Sequence, residues 1–253
     1  MKILIDHHTI RNIPVIEFHD AEVTVKLPIV IIMHGFSGRK EDCFMHGYQL
    51  AQQGFFAVSV DLHLHGESSP EEFVAAKVTP RITEVVERSV FNIEQLVAEY
   101  SHHAIADGTR IGLLGISLGG AVIYHYLPKC QPEVRTAVVN IAGALPFWPI
   151  SLRKIMQHYP EFGVSEALIA KMEHELRPII FLDGVSDFPM LMQYGQEDPI
   201  VPIEHVRQLY QAVKSHYAHS ERIILVEYPK TGHEIPPAML ERGRQWFDEF
   251  LKS

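Results

Sequence analysis

The chain has 253 residues, of which 47% are hydrophobic and 21% charged, so it carries enough apolar side chains to bury a sizeable core. This composition excludes long disorder, a collagen-like repeat and a small scaffold held by many disulfides. The formal net charge is −9, from 31 acidic and 22 basic residues. Nucleic acid is therefore not an expected partner, because phosphate binding requires clustered Lys and Arg.

The two cysteines, Cys43 and Cys130, favour a reducing compartment, because secreted domains more often carry structural disulfides. The apolar run at positions 1–5 ends at Asp6 and is too short for a signal peptide. No stretch of the sequence approaches the roughly 18 apolar residues that a membrane span requires. We therefore expect one domain over residues 1–253, a cytoplasmic location and no membrane partner.

Alternating and continuous apolar runs predict the strands. Two short alternating stretches, 10–17 and 22–26, favour an antiparallel hairpin at the edge of a sheet. The next run, 29–33, is apolar on both faces, which is typical of a strand covered on both sides in a parallel sheet. Five further runs of this kind predict buried strands over 56–60, 110–114, 134–141, 190–194 and 223–227.

Helical periodicity fills the segments between these strands. Residues 82–100 carry one apolar stripe with spacings of three and four, which is typical of an amphipathic helix. Four further patterns predict helices over 43–53, 118–127, 203–216 and 237–251. The alternation of strands and helices predicts an α/β fold with a doubly wound, mostly parallel sheet and right-handed crossovers.

One region, 145–187, interrupts this alternation with helical patterning and several prolines but no clear strand pattern. A simple crossover connection needs far fewer residues. We interpret the region as a small helical insertion and consider a lid over the carboxyl edge of the sheet as its role. Within it, Phe147, Trp148 and Tyr159 are predicted to wall an apolar substrate pocket. The alternative is an extended crossover helix with loops.

Residues 115–119 read Gly-Ile-Ser-Leu-Gly, a G-x-S-x-G segment between a predicted strand and a predicted helix. A serine in such a sharp turn adopts a strained backbone, and the flanking glycines relieve the crowding. The turn lifts the Ser117 hydroxyl clear of the sheet and aims the N-terminus of the helix at it, which predicts a nucleophile. The alternative is a glycine-rich turn with a capping serine.

A serine hydroxyl is a poor nucleophile unless a base and an orienting carboxylate accompany it. His233 lies in the loop after the last predicted strand and is the predicted base, with a solvated loop histidine as the alternative. Asp198 lies in the loop after the preceding strand and is the predicted carboxylate, with Glu197 and Asp187 as rivals. The order Ser117, Asp198, His233 is the chain order expected for this fold.

The oxyanion that forms during acyl transfer needs two hydrogen-bond donors in place beforehand. We predict the backbone amide of Leu118, directly after the nucleophile, and the amide of Phe36, in the loop after the strand at 29–33. Gly35 allows close approach at this loop. His34 is interpreted as a buried residue that supports the loop by a hydrogen bond, and we place it with Gly35 at the substrate pocket. The alternative role for His34 is a catalytic base.

These motifs occur in the order found in the α/β-hydrolase superfamily, which the chain resembles over nearly its whole length. They are His-Gly-Phe at 34–36, the G-x-S-x-G segment at 115–119, Asp-Pro-Ile-Val-Pro at 198–202 and Thr-Gly-His at 231–233. The segment 61–68, Asp-Leu-His-Leu-His-Gly-Glu-Ser, resembles small bacterial esterases related to the catalytic domain of prolyl oligopeptidase. The chain has no room for a propeller domain and lacks the HGGG form of the lipase-like branch. The resemblance therefore implies hydrolysis of small esters rather than of peptides.

The 16 histidines raise the question of a metal site. His63 and His65 have one residue between them, a spacing that can bind zinc. No third and fourth ligand follow at a typical distance, and the serine set already supplies a nucleophile. We therefore predict no metal and no cofactor, with metal binding by this pair as the alternative.

The predicted function is hydrolysis of a small-molecule carboxylic ester by a serine hydrolase of the carboxylesterase kind. Ser117 would attack the acyl carbon, His233 would transfer the proton and Asp198 would orient the imidazole. A peptidase or a thioesterase with the same three residues is the alternative within enzymes. A protein that keeps the fold and only binds a ligand is the alternative outside them. The sequence makes no prediction of the oligomeric state.

Overall fold

The computed structural model describes residues 1–144, 148–175 and 187–252. Its strands are β1 (Ile3–Ile10), β2 (Ile13–Asp20), β3 (Leu27–Met33), β4 (Phe56–Val60), β5 (Ala106–Ile116), β6 (Val134–Asn140), β7 (Met190–Gly195) and β8 (Ile223–Tyr228). They form one eight-stranded sheet in the order β1-β2-β4-β3-β5-β6-β7-β8. Neighbours among β3 to β8 pair in parallel, whereas β2 pairs with β1 and with β4 in the antiparallel direction. The doubly wound, mostly parallel α/β sheet predicted from the sequence is confirmed.

Helices cover both faces of this sheet. They are α1 (Phe44–Gln52), α2 (Ala75–Val78), α3 (Ile82–Tyr100), α4 (Leu118–Tyr126), α5 (Trp148–His158), α6 (Glu166–Glu175), α7 (Ile203–Lys214) and α8 (Pro237–Leu251). α1 and α8 bury side chains such as Leu50 and Phe247 on one face, and α3, α4 and α7 bury Val85, Val122 and Val206 on the other. Within the described ranges, no helix is long and apolar enough to cross a membrane.

The expected antiparallel hairpin is present at the edge of the sheet, but at other positions than the sequence predicts. The stretch expected over 10–17 overlaps β2 from position 13 onward, whereas the stretch 22–26 is not a strand. β1 and β2 pair along their whole length around a two-residue turn. Arg11 and Asn12 both have positive φ (49° and 67°), as the tightest hairpin turns require. Neither strand alternates clearly, because β1 is a largely exposed edge and β2 is buried on both faces, so the pattern that marks a half-buried strand is missing.

The predicted insertion is described over residues 148–175, which we name the cap. Positions 145–147, which include Phe147, and 176–186 lie outside the described residues. Within the cap, α5 and α6 contact each other, and a 3-10 turn at Pro160–Phe162 lies between them. The cap lies at the carboxyl edge of the sheet, because α5 lines the same cavity as the end of β5. Its movement as a lid stays a prediction.

Candidate active site

Ser117 stands in the sharp turn between β5 and α4, where its backbone has φ 51° and ψ −110°. Positive φ is strained for a residue with a side chain, and strain of this kind concentrates at functional sites. The flanking glycines are required by close packing. A Cβ on Gly115 would lie 2.5 Å from the carbonyl carbon of Gly119, and a Cβ on Gly119 would lie 2.4 Å from the carbonyl oxygen of Met33. The G-x-S-x-G spacing therefore follows from the crowding of strand and helix at this turn.

His233 reaches the serine from the loop after β8. The Ser117 hydroxyl donates to the His233 Nε2 at 2.9 Å, and the His233 Nδ1–H donates to the Asp198 Oδ2 at 2.8 Å. This pair of bonds assigns the proton of the neutral imidazole to Nδ1 and leaves Nε2 as an acceptor. The amide of Glu197 donates to the carbonyl of Thr231 at 3.0 Å, which ties the two loops together. The arrangement fixes the imidazole between the hydroxyl and the carboxylate.

The Asp198 side chain is fully buried and hydrogen-bonded on both oxygens. Its Oδ1 accepts the amides of Ile200 and Val201, each at 2.8 Å, which leaves Oδ2 for the imidazole. The rival carboxylates lie elsewhere. Glu197 is exposed, and Asp187 accepts the amide of His219 at 2.8 Å. Of the three predicted candidates, Asp198 is the carboxylate that the structure brings to His233.

The loop after β3 lies directly against the nucleophile. A Cβ on Gly35 would lie 3.5 Å from the Ser117 Cβ, an ordinary contact distance. The amide of Gly119 donates to the carbonyl of His34 at 3.1 Å, so the loop is attached to the first turn of α4. Leu118 is the first residue of α4, where an amide has no partner within the helix. The amides of Phe36 and Leu118 therefore stay the predicted oxyanion donors, on two segments that one hydrogen bond holds together.

His34 supports this loop from behind. Its Nδ1–H donates to the carbonyl of Gly35 at 2.7 Å, and its Nε2 accepts the amide of Leu62 at 3.1 Å. The residue is 1% exposed, and burial lowers the pKa of its imidazole to about 4. A neutral ring with both nitrogens occupied is suited to support and not to proton transfer. The prediction that His34 borders the substrate pocket is wrong, because the ring fills the buried layer under the loop and does not line the cavity.

A buried ion pair holds the segment 61–68, and sequence analysis missed it. The Lys40 Nζ lies 3.2 Å from the Asp61 Oδ2, which also accepts the amide of Glu67 at 2.8 Å. Gly66 has φ 51°, and a Cβ there would lie 2.2 Å from the Asp61 Oδ1, so the turn wraps closely around the carboxylate. The available signal was an aspartate directly after the buried strand β4, where a charge requires a partner.

The two histidines considered for zinc make separate contacts, and the His63 Nε2 lies 3.4 Å from the Glu84 Oε1. The His65 Nδ1–H donates to the backbone carbonyl of His63 at 2.9 Å. Among the residues that the structure describes, one group could hold a cation together. It consists of Asp6, His8 and Glu17, whose ligand atoms lie within 4.8 Å of one another. This group lies on β1 and β2 and not at the nucleophile turn, so it supplies nothing to chemistry at the serine.

A cavity of about 450 Å³ opens beside Ser117 and His233. Its walls come from the loop after β3, the N-terminal part of α3, the first turn of α4, the cap and the loops after β7 and β8. Most lining side chains are apolar, including Ile82, Leu152, Ile155, Val164, Val201 and Ile235. Of the predicted pocket residues, Gly35, Trp148 and Tyr159 line this cavity, whereas Phe147 lies outside the described residues.

Comparison with known proteins assigns the chain to a family. The profile of the dienelactone hydrolase family matches residues 16–235. A Bacillus subtilis (strain 168) protein named "Putative esterase YitV" is 27% identical over 98% of this chain and 100% of its own length. A Bradyrhizobium sp protein named "Probable 2-oxo-3-(5-oxofuran-2-ylidene)propanoate lactonase" is 25% identical over 83% of this chain and 74% of its own. The crystal structure of TT1662 from Thermus thermophilus has the same fold, with a TM-score of 0.77 and 19% identity over the whole of both chains. The chain therefore belongs to the dienelactone hydrolase family, within the α/β-hydrolase superfamily.

Proposed function

We propose that the protein is a serine hydrolase that cleaves small carboxylic esters through an acyl-enzyme intermediate. One observation carries the proposal: the Ser117 Oγ lies 2.9 Å from the His233 Nε2, and the His233 Nδ1 lies 2.8 Å from the Asp198 Oδ2. Membership of a hydrolase family and the esterase name of the Bacillus subtilis relative support the same reaction class. The cavity beside Ser117 offers room for a small organic substrate.

In the first half-reaction, the Ser117 Oγ attacks the acyl carbon while the His233 Nε2 takes its proton. The carbonyl oxygen becomes an oxyanion, and the amides of Phe36 and Leu118 stabilise it. The imidazolium then gives its proton to the departing alcohol oxygen, and the C–O bond of the ester breaks. The buried carboxylate of Asp198 stabilises the imidazolium and fixes the orientation of the ring.

In the second half-reaction, the His233 Nε2 takes a proton from a water molecule that attacks the acyl carbon of the ester on Ser117. The same amides stabilise the second oxyanion. When it collapses, the proton returns to the Ser117 Oγ and the carboxylic acid leaves. Each step uses groups of the chain and water, so we propose no cofactor.

The test is a hydrolysis panel of p-nitrophenyl esters, thioesters and aminoacyl anilides, measured with the wild-type protein and with Ser117→Ala. We expect the esters to be cleaved fastest, and we expect kcat/KM to fall by about 10⁴ or more in the variant, as for other serine triads. A higher kcat/KM for thioesters or anilides would move the assignment to a thioesterase or a peptidase. Ester hydrolysis that survives in Ser117→Ala would contradict the proposed nucleophile.

We also propose that residues 1–253 form one domain in a cytoplasmic protein. One sheet runs from β1 to β8, which supports a single domain. Cys43 and Cys130 are both free thiols, which suits a reducing compartment. Fractionation of the cells that produce the protein tests the location, and recovery in the periplasmic or extracellular fraction would contradict it.

A further inference from the structure

We propose that the cavity beside Ser117 selects esters that are uncharged and apolar on both sides of the ester bond, and rejects substrates with a free carboxylate. The inference rests on the proposed function and adds to it the class of substrate. It follows from the lining of the cavity, from the position of one acidic side chain and from the way the cap is attached.

The cavity contains no compensating positive charge among its described lining residues, because none of them is Lys or Arg. The charged or titratable side chains among its described lining residues are His233, which the mechanism uses, Glu234 and Tyr159. A carboxylate moved from water into such surroundings loses its hydration and gains no ionic partner, so its transfer is strongly unfavourable. The transfer of a neutral alkyl or aryl group from water into the same cavity is favourable.

Glu234 adds repulsion to this desolvation. It is exposed, lines the cavity and directly follows His233, the residue that protonates the departing alcohol. An acidic side chain therefore borders the cavity directly after the residue that protonates the leaving alcohol. An anionic alcohol group would approach a like charge there, and the net charge of −9 acts in the same direction at longer range.

The cap supplies another wall of the cavity, and most of the side chains on this wall are apolar. Trp148, Leu152 and Ile155 lie on one face of α5 with spacings of four and three, and all three line the cavity. The Trp148 Nε1–H donates to the carbonyl of Gly143 at 2.9 Å, so the polar atom of the indole is satisfied and the ring is held in place. Each methylene added to an acyl chain along this wall should raise kcat/KM by about fourfold until the cavity is filled.

The Bradyrhizobium relative shows why this inference is not a property of the whole family. Its name describes a propanoate as substrate, which is a carboxylate. The described lining of the present cavity offers no cation for such a group. We therefore expect this chain to disfavour that substrate class while its reaction chemistry stays the same.

The experiment compares kcat/KM for two matched pairs of esters. The acyl pair is p-nitrophenyl pentanoate against the mono-p-nitrophenyl ester of glutaric acid. The alcohol pair is butyl butyrate against the butyrate ester of 4-hydroxybutanoate. Hydrolysis of this pair is measured by pH-stat titration of the acid released. We expect the neutral member of each pair to be favoured by at least about a hundredfold, in line with the cost of an unpaired buried charge.

Variants of two lining residues show whether the cavity causes the selection. Ile155→Arg should reduce the ratio of kcat/KM between the pentanoate and glutarate esters by at least tenfold. Ile155→Met is the neutral control of similar size. Glu234→Gln should narrow the ratio for the alcohol pair, more so at low salt than at high salt. The ratio is independent of the fraction of folded protein, and Glu234 is exposed, so its substitution carries little risk to folding.

Three outcomes would be decisive. Anionic esters cleaved within threefold of their neutral partners would overturn the inference and leave the proposed esterase function intact. Ratios unchanged by both Ile155→Arg and Glu234→Gln would show that these walls do not set the selection, which also overturns it. No hydrolysis of any of the four esters would contradict the proposed function, and the substrate class would fall with it.

Discussion

The ring of Phe162 in the cap contacts the ring of Phe36, with 5.2 Å between the two ring centroids. Phe36 is the residue whose amide is a predicted oxyanion donor. Phe73 contacts the same Phe36 ring at 5.5 Å, so the side chain is held between the cap and the segment before α2. Aromatic contacts of this kind add stabilisation beyond simple burial. The position of the cap and the position of the oxyanion loop are therefore coupled.

Phe162→Ala should lower kcat by about tenfold, a part of the roughly 10² to 10³ that loss of a whole oxyanion donor costs. The reason is that the Phe36 side chain loses one of its contacts, so its amide is less well placed. Phe162→Leu fills most of the space and should stay within about threefold of wild type. Steady-state kinetics on a p-nitrophenyl ester measure both. A change confined to KM would mean that Phe162 only lines the cavity.

Asp198→Asn should lower kcat by about 10⁴, as in other triads where the orienting carboxylate becomes an amide. The amide cannot stabilise the imidazolium, and it favours the wrong tautomer of His233. Glu197→Gln is the matched control, because Glu197 is adjacent in sequence and exposed, whereas the His233 Nδ1 bonds to Asp198. Equal losses in the two variants would indicate that the carboxylate has been assigned wrongly.

Gly119→Ala should destabilise the fold by about 1–3 kcal/mol, the usual cost of forcing a methyl group into a packed site. The new Cβ would lie 2.4 Å from the carbonyl oxygen of Met33, so β3 and α4 must separate. Because the Gly119 amide also bonds to the carbonyl of His34, activity should fall as well. Gly243→Ala in α8 is the control, since its Cβ would lie at an ordinary 3.5 Å from the nearest atom. Chemical denaturation of both variants at pH 7 tests this, and equal midpoints would refute it.

Acid should destabilise the protein through buried histidines. Burial lowers the pKa of His34 and of His65 to about 4, against a model-peptide value of 6.5. Between these values the unfolded chain binds more protons than the folded one, so stability falls as the pH falls. From pH 7 to pH 5, each residue should reduce the free energy of unfolding by about 2 kcal/mol.

Denaturation at both pH values in wild type and in His65→Phe measures this effect. The variant loses a hydrogen bond to the His63 carbonyl at every pH. Between pH 7 and pH 5, however, its free energy of unfolding should fall by about 2 kcal/mol less than that of the wild type. His7→Asn, at an exposed position, is the control measured in the same way. A pH dependence equal in wild type and His65→Phe would contradict the assignment of His65 as a buried neutral imidazole.

The three central residues could be predicted because each follows a long apolar run. Ser117, Asp198 and His233 come after β5, β7 and β8, and the carboxyl ends of parallel strands meet at one edge of a sheet. Periodicity also predicted α3 with its observed bounds, since its apolar stripe is long and fully buried. In these segments the local pattern and the tertiary environment agree.

Other parts depended on contacts between distant segments, which one sequence does not reveal. The hairpin was misplaced because an exposed edge strand and a fully covered strand both lack alternation. The ring contact of Phe162 with Phe36 depends on how the cap docks. His34 was correctly interpreted as a buried support but wrongly placed at the pocket, because a residue at a strand end can turn its side chain to either side of the loop.

The most direct test of the account is labelling with a fluorophosphonate, followed by peptide mass spectrometry. We predict one label per chain, on Ser117, with no label in Ser117→Ala and much slower labelling in His233→Gln. A protein that only binds a ligand would not react. A label on another residue, or unchanged labelling of Ser117→Ala, would contradict the central claim that the imidazole of His233 activates the Ser117 hydroxyl.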